Sequence, residues 1–497
     1  MAPSDLPVRP EFPAGSDLYL GLDLGTSSLK AVLCDGAMAV VGSGSAGYPM
    51  ASPVPGAAEQ NPADWVDAAG RAVRAALADA EAAGCANAAA AVRAIGLSGQ
   101  LPTLVCLKDG IADGPAIVWS DARADSAAAA RLGPDGPAMF YRRTGMPVDG
   151  RYLAPMLAFH RADAAALDGI LSAKDYLCFA LTGRSVTDPS TAAGYAVFDL
   201  ATGRFADDLA AVFDLDTALL PAIAPAGAVA GTLTPAAAAR LGLPAGVPVM
   251  VGAADSAAGA LAMTGGDSAA VAIVMGSSTI IFAACDSPRP DDARRYLLTP
   301  HAAAPGEAAR YGREMDLLAT GTGLAWLSRL TGSSVEALET AALAAPPGAR
   351  GVRFAPYLAG GEQGALWDPS LAGVIHGLTI AHGTGDLARA YFEGIFFEMR
   401  RCLDVLEEAT PVRRAVVSGA AAGNPGLIHL MADVLGRPVQ VFTHAAPSAL
   451  GAAMLAAGRT DPAGAYFGPV TQPGPAAELY DEFYGAHRAL FPRLAVR

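Results

Sequence analysis

Residues 18–33 read Leu-Tyr-Leu-Gly-Leu-Asp-Leu-Gly-Thr-Ser-Ser-Leu-Lys-Ala-Val-Leu, and no other stretch restricts the fold as tightly. An apolar run carries an acid near its end, a Gly-Thr-Ser-Ser corner follows, and a second apolar run begins. The pattern predicts a strand, a tight turn and a returning strand. The corner, Gly25 to Ser28, offers consecutive backbone N–H groups and three hydroxyls beside one carboxylate. Such a concavity suits a phosphate chain, and the carboxylate of Asp23 suits the metal ion riding on it. The pattern returns at Val271–Phe282, around Gly276, Ser277 and Ser278. Paired hairpins of this kind predict two related halves facing one nucleotide.

A chain of 497 residues exceeds the usual size of one hydrophobic core, so two domains are expected. Apolar residues make up 52% and charged residues only 16%, which excludes a disordered chain. The mean hydropathy of +0.33 does not imply a membrane protein, because alanine carries most of it. Glycines or charges interrupt each long apolar run before the roughly 18–20 residues needed to cross a bilayer. Residues 1–16 are polar and proline-rich, without a basic-then-apolar signal, and predict a loose leader on a cytoplasmic protein. The net charge of −14, with no basic cluster, argues against nucleic acid as a partner. The six cysteines are scattered without a CxxC spacing and the seven histidines do not pair like ligands, so reduced thiols and no zinc site are expected.

Strands and helices alternate along the chain, which predicts α/β layers. After the first hairpin, Asn61 caps a helix, Pro62 fits its first position and Asp64 favours its positive end. Trp65, Ala69, Val73, Ala76 and Leu77 then recur at helical spacing up to Gly84. Ala91–Leu97 reads as a buried strand running into Ser98-Gly99-Gln100. The proline- and alanine-rich stretch Pro221–Pro248 reads as the passage between domains. Val249–Ala254 would then open the second domain with a strand that delivers Asp255. The expected division is a leader at 1–16, a first domain at 17–248 and a second at 249–497. Further on, the strand at Ala415–Ser418 enters a small-residue turn, Gly419–Gly423. Asn424 and Pro425 open a helix there, and such a turn lets a flat ligand approach the backbone closely.

Several familiar nucleotide motifs fail. Lys30, Lys108 and Lys174 are the only lysines, and none completes a P-loop. Gly42–Gly47 matches GxGxxG, but prolines at 49, 53 and 55 follow instead of a helix, so a loop between strands is expected. No GxSxG elbow sits at a strand-to-helix turn, which leaves a serine hydrolase unsupported. Lys30 either points at phosphates or lies on a solvated strand face. Asp255 stands between small residues after an apolar strand. It can cap a helix, or aim a carboxylate into a cleft and take a proton from a hydroxyl.

Nine short pieces, in order and nearly end to end, resemble the FGGY carbohydrate kinase family, and within it the xylulokinases most. They begin with Gly21-Leu-Asp-Leu-Gly-Thr-Ser-Ser, Glu59-Gln-Asn-Pro-Ala-Asp-Trp, Gly96-Leu-Ser-Gly-Gln and Pro115-Ala-Ile-Val-Trp-Ser-Asp-Ala-Arg. Lys174-Asp-Tyr-Leu, Gly252-Ala-Ala-Asp-Ser-Ala-Ala-Gly, Pro356-Tyr-Leu-Ala-Gly, Leu387-Ala-Arg-Ala-Tyr-Phe-Glu-Gly and Val417-Ser-Gly-Ala-Ala-Ala-Gly-Asn follow. The resemblance implies a two-domain actin/hexokinase/Hsp70-like ATPase fold, built from duplicated ribonuclease H-like domains around a cleft. It implies ATP-dependent phosphorylation of a small sugar, a ketopentose such as D-xylulose, with Mg²⁺. A homodimer is compatible with it.

By the same resemblance Asp255 is the general base, and Asp23 holds Mg²⁺ through water, with Asp255 the second acid near the metal. Gly25, Thr26, Ser27 and Ser28 form the first phosphate loop, with Lys30 beside it, and Gly276, Ser277 and Ser278 form the second. Gly321, Gly419, Ala420 and Asn424 fall where the family contacts adenosine. Gln100, Leu101, Pro102 and Thr103 occupy the sugar loop, with Ser256 after the base. The departures cluster at the sugar. Leu101-Pro102 stands where xylulokinases carry Met-His, and Ser256 where Asn is frequent. Gly360-Gly361-Glu362-Gln363-Gly364 replaces a stretch containing Arg, and Ala420 replaces a glycine. Another ketose, a polyol or a sugar acid is therefore the alternative substrate. A nucleotide-switched binding protein of the same fold is a further alternative, which leaves Asp255 and the Gln100 loop without a purpose.

Overall fold

The computed structural model describes residues 17–161, 166–303, 307, 310–359, 364–368, 370–461 and 464–490. The expected leader, 1–16, and residues 360–363 of the departing Gly360–Gly364 stretch lie outside the described residues. Each half of the chain is built on a seven-stranded sheet. In the first, Leu18–Leu24 and Ser28–Asp35 form an antiparallel hairpin. Val40–Gly47 continues it antiparallel, and Val92–Gly99 lies parallel on the other side of Leu18–Leu24. In the second, Ala270–Met275 and Thr279–Cys285 form the hairpin. Tyr311–Leu317 continues it antiparallel, and Arg414–Gly419 lies parallel on the other side. One four-strand pattern is thus used twice, which is the duplicated α/β architecture expected.

Leu18, Leu20, Leu22 and Leu24 are fully buried, and so is nearly the whole strand, because helices cover both faces of the first sheet. Helix Pro62–Ala82 lies on one face. The Asn61 side chain accepts from the Ala63 N–H at 3.2 Å, and Trp65, Ala69, Val73 and Ala76 turn inward. Helix Pro447–Ala456, from the second half, lies on the other face. Helix Asp255–Thr264 packs against it and against the second hairpin. A Cβ on Gly451 would overlap the Ala258 carbonyl, so these backbones meet more closely than side chains allow. Ala257, Ala258, Ala449 and Ala453 are among the small buried residues that fill this junction.

Three expectations need correction. Gly42–Gly47 is not a loop but part of strand Val40–Gly47, because a Cβ on Gly42 or Gly44 would strike helix carbonyls of Ala76 and Ala72. The glycines serve close strand–helix packing. Pro221–Pro248 is not a bare passage. It holds strand Val229–Thr232, at the edge of the first sheet, and helix Pro235–Leu241, capped by the Thr234 hydroxyl. Strand Pro248–Met250 does not open the second sheet either. Val249 pairs with Ile95, and Ala253–Ala254 pair with Ser98–Gly99, so the first sheet runs on past a division at 248–249. Asp255 follows directly, where the chain leaves the first sheet for a helix packed on the second.

Candidate active site

The first corner is held from three sides. Its ends close through the Gly25 N–H to Ser28 carbonyl bond at 3.1 Å, and the Tyr48 hydroxyl donates to the Gly25 carbonyl. Gln60 Nε2 donates to the Thr26 carbonyl at 2.7 Å, and the Trp119 ring N–H donates to Thr26 Oγ1 at 3.1 Å. Ser27 is exposed at the tip. Asp23 sits one residue before the strand end, buried, with the Ser98 hydroxyl donating to it at 3.3 Å. Burial pushes its carboxyl up, while the Lys30 charge and the Ser98 hydrogen bond oppose the rise. Lys30 is the cross-strand partner of Asp23 and is exposed, so it reaches solvent on the face that carries the acid.

The second corner closes through the Gly276 N–H to Ser278 carbonyl bond at 2.8 Å. The N-terminus of helix Gly321–Thr331 leans on it: Gly321 N–H donates to the Gly276 carbonyl, and Thr322 N–H to that of Ser277, each at 3.1 Å. Gly419 ends its strand opposite Met275, with φ of +113°, and a Cβ there would overlap the Met275 carbonyl. Gly276, Ser277, Gly321 and Gly419 therefore form one small-residue platform. Ala420 opens the 3₁₀ turn Ala420–Gly423. Asn424 lies beyond that turn, where its Oδ1 caps helix Pro425–Leu435 and its amide donates to Glu339 Oε2 at 2.7 Å.

Between the corners lies a cavity of about 580 Å³, walled by both halves. Thr26, Gln100, Leu101 and Pro102 line it from the first half, and Asp255, Ser256 and Ser278 line it opposite. Thr103 is buried behind this wall rather than on it. Gln100 is buried, its N–H held by the Leu24 carbonyl at 2.8 Å and its Nε2 donating to Gln60 Oε1 at 3.0 Å. Its Oε1 has no hydrogen-bond partner. Gln60 thus ties the Thr26 corner to the Gln100 loop, and the buried Trp65 ring N–H donates to Gln60 Oε1 at 3.2 Å.

Asp255 is the first residue of its helix, and Ser256 N–H donates to its Oδ1 at 2.8 Å. Its backbone is fixed on both sides. The Ser448 hydroxyl donates to the Asp255 carbonyl at 2.9 Å, and Ala254 N–H donates to Ser190 Oγ at 2.9 Å. Ser190 in turn donates to Asp188, which faces the fully buried Lys174 at 3.4 Å. Lys174 Nζ also donates to the Val251 carbonyl at 2.9 Å, so the motif Lys174-Asp175 anchors the segment that delivers Asp255. Burial, and then the charge of Asp23, push the Asp255 carboxyl up to about 7.

The cavity wall includes residues not singled out from sequence: Trp119, Arg151, Tyr152, Glu314, Asp316 and Trp367. Trp119 and Gln60 stood inside quoted motifs without an assigned role. Glu314 and Asp316 alternate with the buried Met315 and Leu317 on strand Tyr311–Leu317, so acids at every second position of a buried strand were the available signal. Burial, and then Asp316, push Glu314 up to about 8, and burial pushes Asp316 up to about 6 against the opposing charge of Arg151. No cluster of three or more acids, histidines and cysteines spaced to hold a metal by themselves occurs among the described residues. No described helix is long and apolar enough to cross a membrane.

Matching hairpins on matching sheets, with a carboxylate where the halves meet, define an ATPase of the actin/hexokinase type. The N-terminal domain of the FGGY family of carbohydrate kinases matches residues 18–262, and its C-terminal domain matches 271–458. The chain belongs to this family and is a carbohydrate kinase, and FGGY kinases use ATP as phosphate donor. It is 30% identical to a xylulose kinase of Klebsiella pneumoniae, over 88% of this chain and 89% of that one. It is 33% identical to a glycerol kinase of Gloeobacter violaceus, over 86% and 85%. Among solved structures it is similar to the xylulose kinase of Rhodospirillum rubrum, with a TM-score of 0.86, 32% identity, and 96% and 99% of the two chains covered.

Proposed function

We propose that the chain transfers the terminal phosphoryl group of ATP to a hydroxyl of a ketopentose such as D-xylulose, with Asp255 as general base. One observation carries the reading: Thr26, Ser278, Gln100 and Asp255 line a single cavity between the halves. Phosphoryl transfer asks a protein chiefly for positioning and charge stabilisation. In this reading the Gly25–Ser28 and Gly276–Ser278 corners grip the β- and γ-phosphates from opposite sides, and the Gly321–Gly419 platform receives the adenosine. Asp255 Oδ1 already accepts the Ser256 N–H, so Oδ2 is the oxygen that takes the sugar hydroxyl proton. Closure of the halves excludes water and limits idle hydrolysis of ATP.

Asp23 and Asp255 suit a magnesium ion. Their charges push against each other across the cleft, and Mg²⁺ is commonly held by one or two carboxylates with water and phosphate oxygens completing its shell. When bound, it would neutralise phosphate charge. We also assign the protein to the cytoplasm, where its six cysteines, five of them buried, would stay reduced.

The xylulose kinase relatives support a ketopentose, and the glycerol kinase relatives support a polyol. Leu101 and Pro102 on the cavity wall favour testing other acceptors too, because neither side chain can hydrogen-bond a sugar hydroxyl. A coupled ADP-release screen across ketoses, polyols and sugar acids tests the proposal. Stimulation by a small sugar is expected. ADP release stimulated only by proteins would replace it with the nucleotide-switched reading.

A further inference from the structure

The hydrogen-bonding polarity of the cavity wall selects among acceptors. We infer that Glu314 and Asp316 are specificity-determining residues that favour a neutral polyhydroxy acceptor and reject a sugar acid. The inference rests on the kinase reading above and narrows its substrate. Both residues stand on one face of strand Tyr311–Leu317, line the same cavity as Asp255, and pair with Phe282 and Ile280 of the neighbouring strand. Acids two residues apart on a largely buried strand are costly unless something uses them.

Each hydroxyl beside Glu314 is already committed. Thr299 Oγ1 donates to Glu314 Oε2 at 2.8 Å and Ser256 Oγ donates to the same oxygen at 3.2 Å, so neither is offered to a ligand. The buried Gln100 contributes an acceptor as well, because its Nε2 is spent on Gln60 and its Oε1 has no partner. Against these acids, Arg151 is the one guanidinium among the described residues of the wall. Arg151 is held bidentately by Asp149, at 2.6 to 3.1 Å, and the Trp119 ring N–H is given to Thr26. Trp367 brings one ring N–H to the wall, and the hydroxyls of Thr26, Ser120, Tyr152 and Ser278 can present either end.

The wall therefore gathers the carboxyls of Asp255, Glu314 and Asp316 and the amide oxygen of Gln100, against a guanidinium already paired with Asp149. The hydroxyls of a ketose or polyol can donate to a carboxylate and accept from a protonated carboxyl, so they suit these groups in either state. An aldonate replaces one donor with a carboxylate that only accepts, beside three acids and the phosphates of ATP. A site whose buried polar groups lose their partners discriminates strongly against the mismatched ligand.

The test compares D-xylulose, xylitol and D-xylonate on the purified full chain, by coupled ADP release and by calorimetric titration with each sugar alone. The expected kcat/KM for at least one neutral sugar exceeds that for xylonate about 100-fold or more. Glu314→Gln and Asp316→Asn should each reduce that ratio about tenfold, through KM for the sugar rather than for ATP. The ratio is internal to each variant, so a general loss of stability does not move it. Asp316→Asn, at the less buried position, serves if Glu314→Gln fails to fold. Preferred turnover of xylonate, or a ratio unchanged in the variants that fold, overturns the inference. If no sugar is phosphorylated, the base assignment fails instead. The titrations then decide selectivity by the same order: tighter xylitol or xylulose than xylonate supports it, and the reverse sinks it.

Discussion

The two hairpins share a corner and differ in what stands beside it. Aligning Gly25 with Gly276 sets Asp23 against Val274, and their cross-strand partners Lys30 and Ile280 also correspond. A charged pair in the first half thus occupies the position of an apolar pair in the second. The second half compensates elsewhere: its acids enter from Asp255 and from strand Tyr311–Leu317, and its corner is backed by Gly321 and Gly419. Duplication supplies two similar grips, a four-residue corner and a three-residue one, and side chains divide the labour. In the proposed reading the first half handles the metal-bearing end of ATP, the second handles the adenosine and the proton, and both wall the acceptor.

The largest test of this division is Asp255→Asn. It keeps the side-chain shape and removes the base, so kcat for sugar phosphorylation should fall about 1,000-fold or more. Affinity for ATP should change little in an equilibrium titration, since neither phosphate corner is touched. Substantial turnover would return Asp255 to the role of a helix-terminal residue.

Asp23→Ala comes next. Removing the acid on the strand that enters the first corner should lower kcat about 100-fold and move the Mg²⁺ titration to higher concentration. Lys30 would then face the cleft with no cross-strand acid. An unaffected Mg²⁺ titration would mean that the hairpins differ in charge for a reason other than metal.

Glycine exchange probes the other half. A Cβ at Gly419 meets the Met275 carbonyl and requires φ of +113°, whereas the nearest atom to a Cβ on Gly25 is the Ser28 carbonyl oxygen at 3.3 Å. Gly419→Ala should therefore raise KM for ATP about tenfold and cost stability, about 1–3 kcal/mol for the strained backbone. Gly25→Ala should change KM for ATP only a few-fold. Equal effects at the two glycines would break the proposed assignment of adenosine to the second half.

The duplicated fold was readable because each hairpin writes itself locally, in an apolar run, a glycine corner and a second run. The Asn61-Pro62 helix start was local for the same reason. What stayed hidden depended on distant partners. Gly42–Gly47 reads as a loop until Ala72 and Ala76 are placed against it, which turns helix-breaking residues into strand residues. Val249 looks like the start of a domain because nothing in its neighbours announces Ile95, more than 150 positions earlier. Glu314 and Asp316 carry a strand-period signal, but period alone does not say whether a strand face meets solvent or a cavity. Gln60 and Trp119 lay inside recognisable motifs, and only the fold reveals that they grip the Thr26 corner.

The smallest expected effect concerns stability rather than rate. Asp255 and Glu314 have folded carboxyls pushed up to about 7 and about 8, against about 4 in an unfolded chain. The folded protein therefore binds protons that the unfolded chain has already released. By linkage, the stability these groups contribute is fully present below pH ~4 and is lost as pH rises through 7 and 8. Thermal melts without nucleotide should show Tm falling between about pH 5 and 8.5, and Glu314→Gln should flatten part of that slope. Asp23→Asn should flatten it less, because Lys30 and Ser98 oppose the effect of burial there. If Asp23→Asn flattened the slope more than Glu314→Gln, the acid load would belong to the first half, and the contrast between the two hairpins would have to be redrawn.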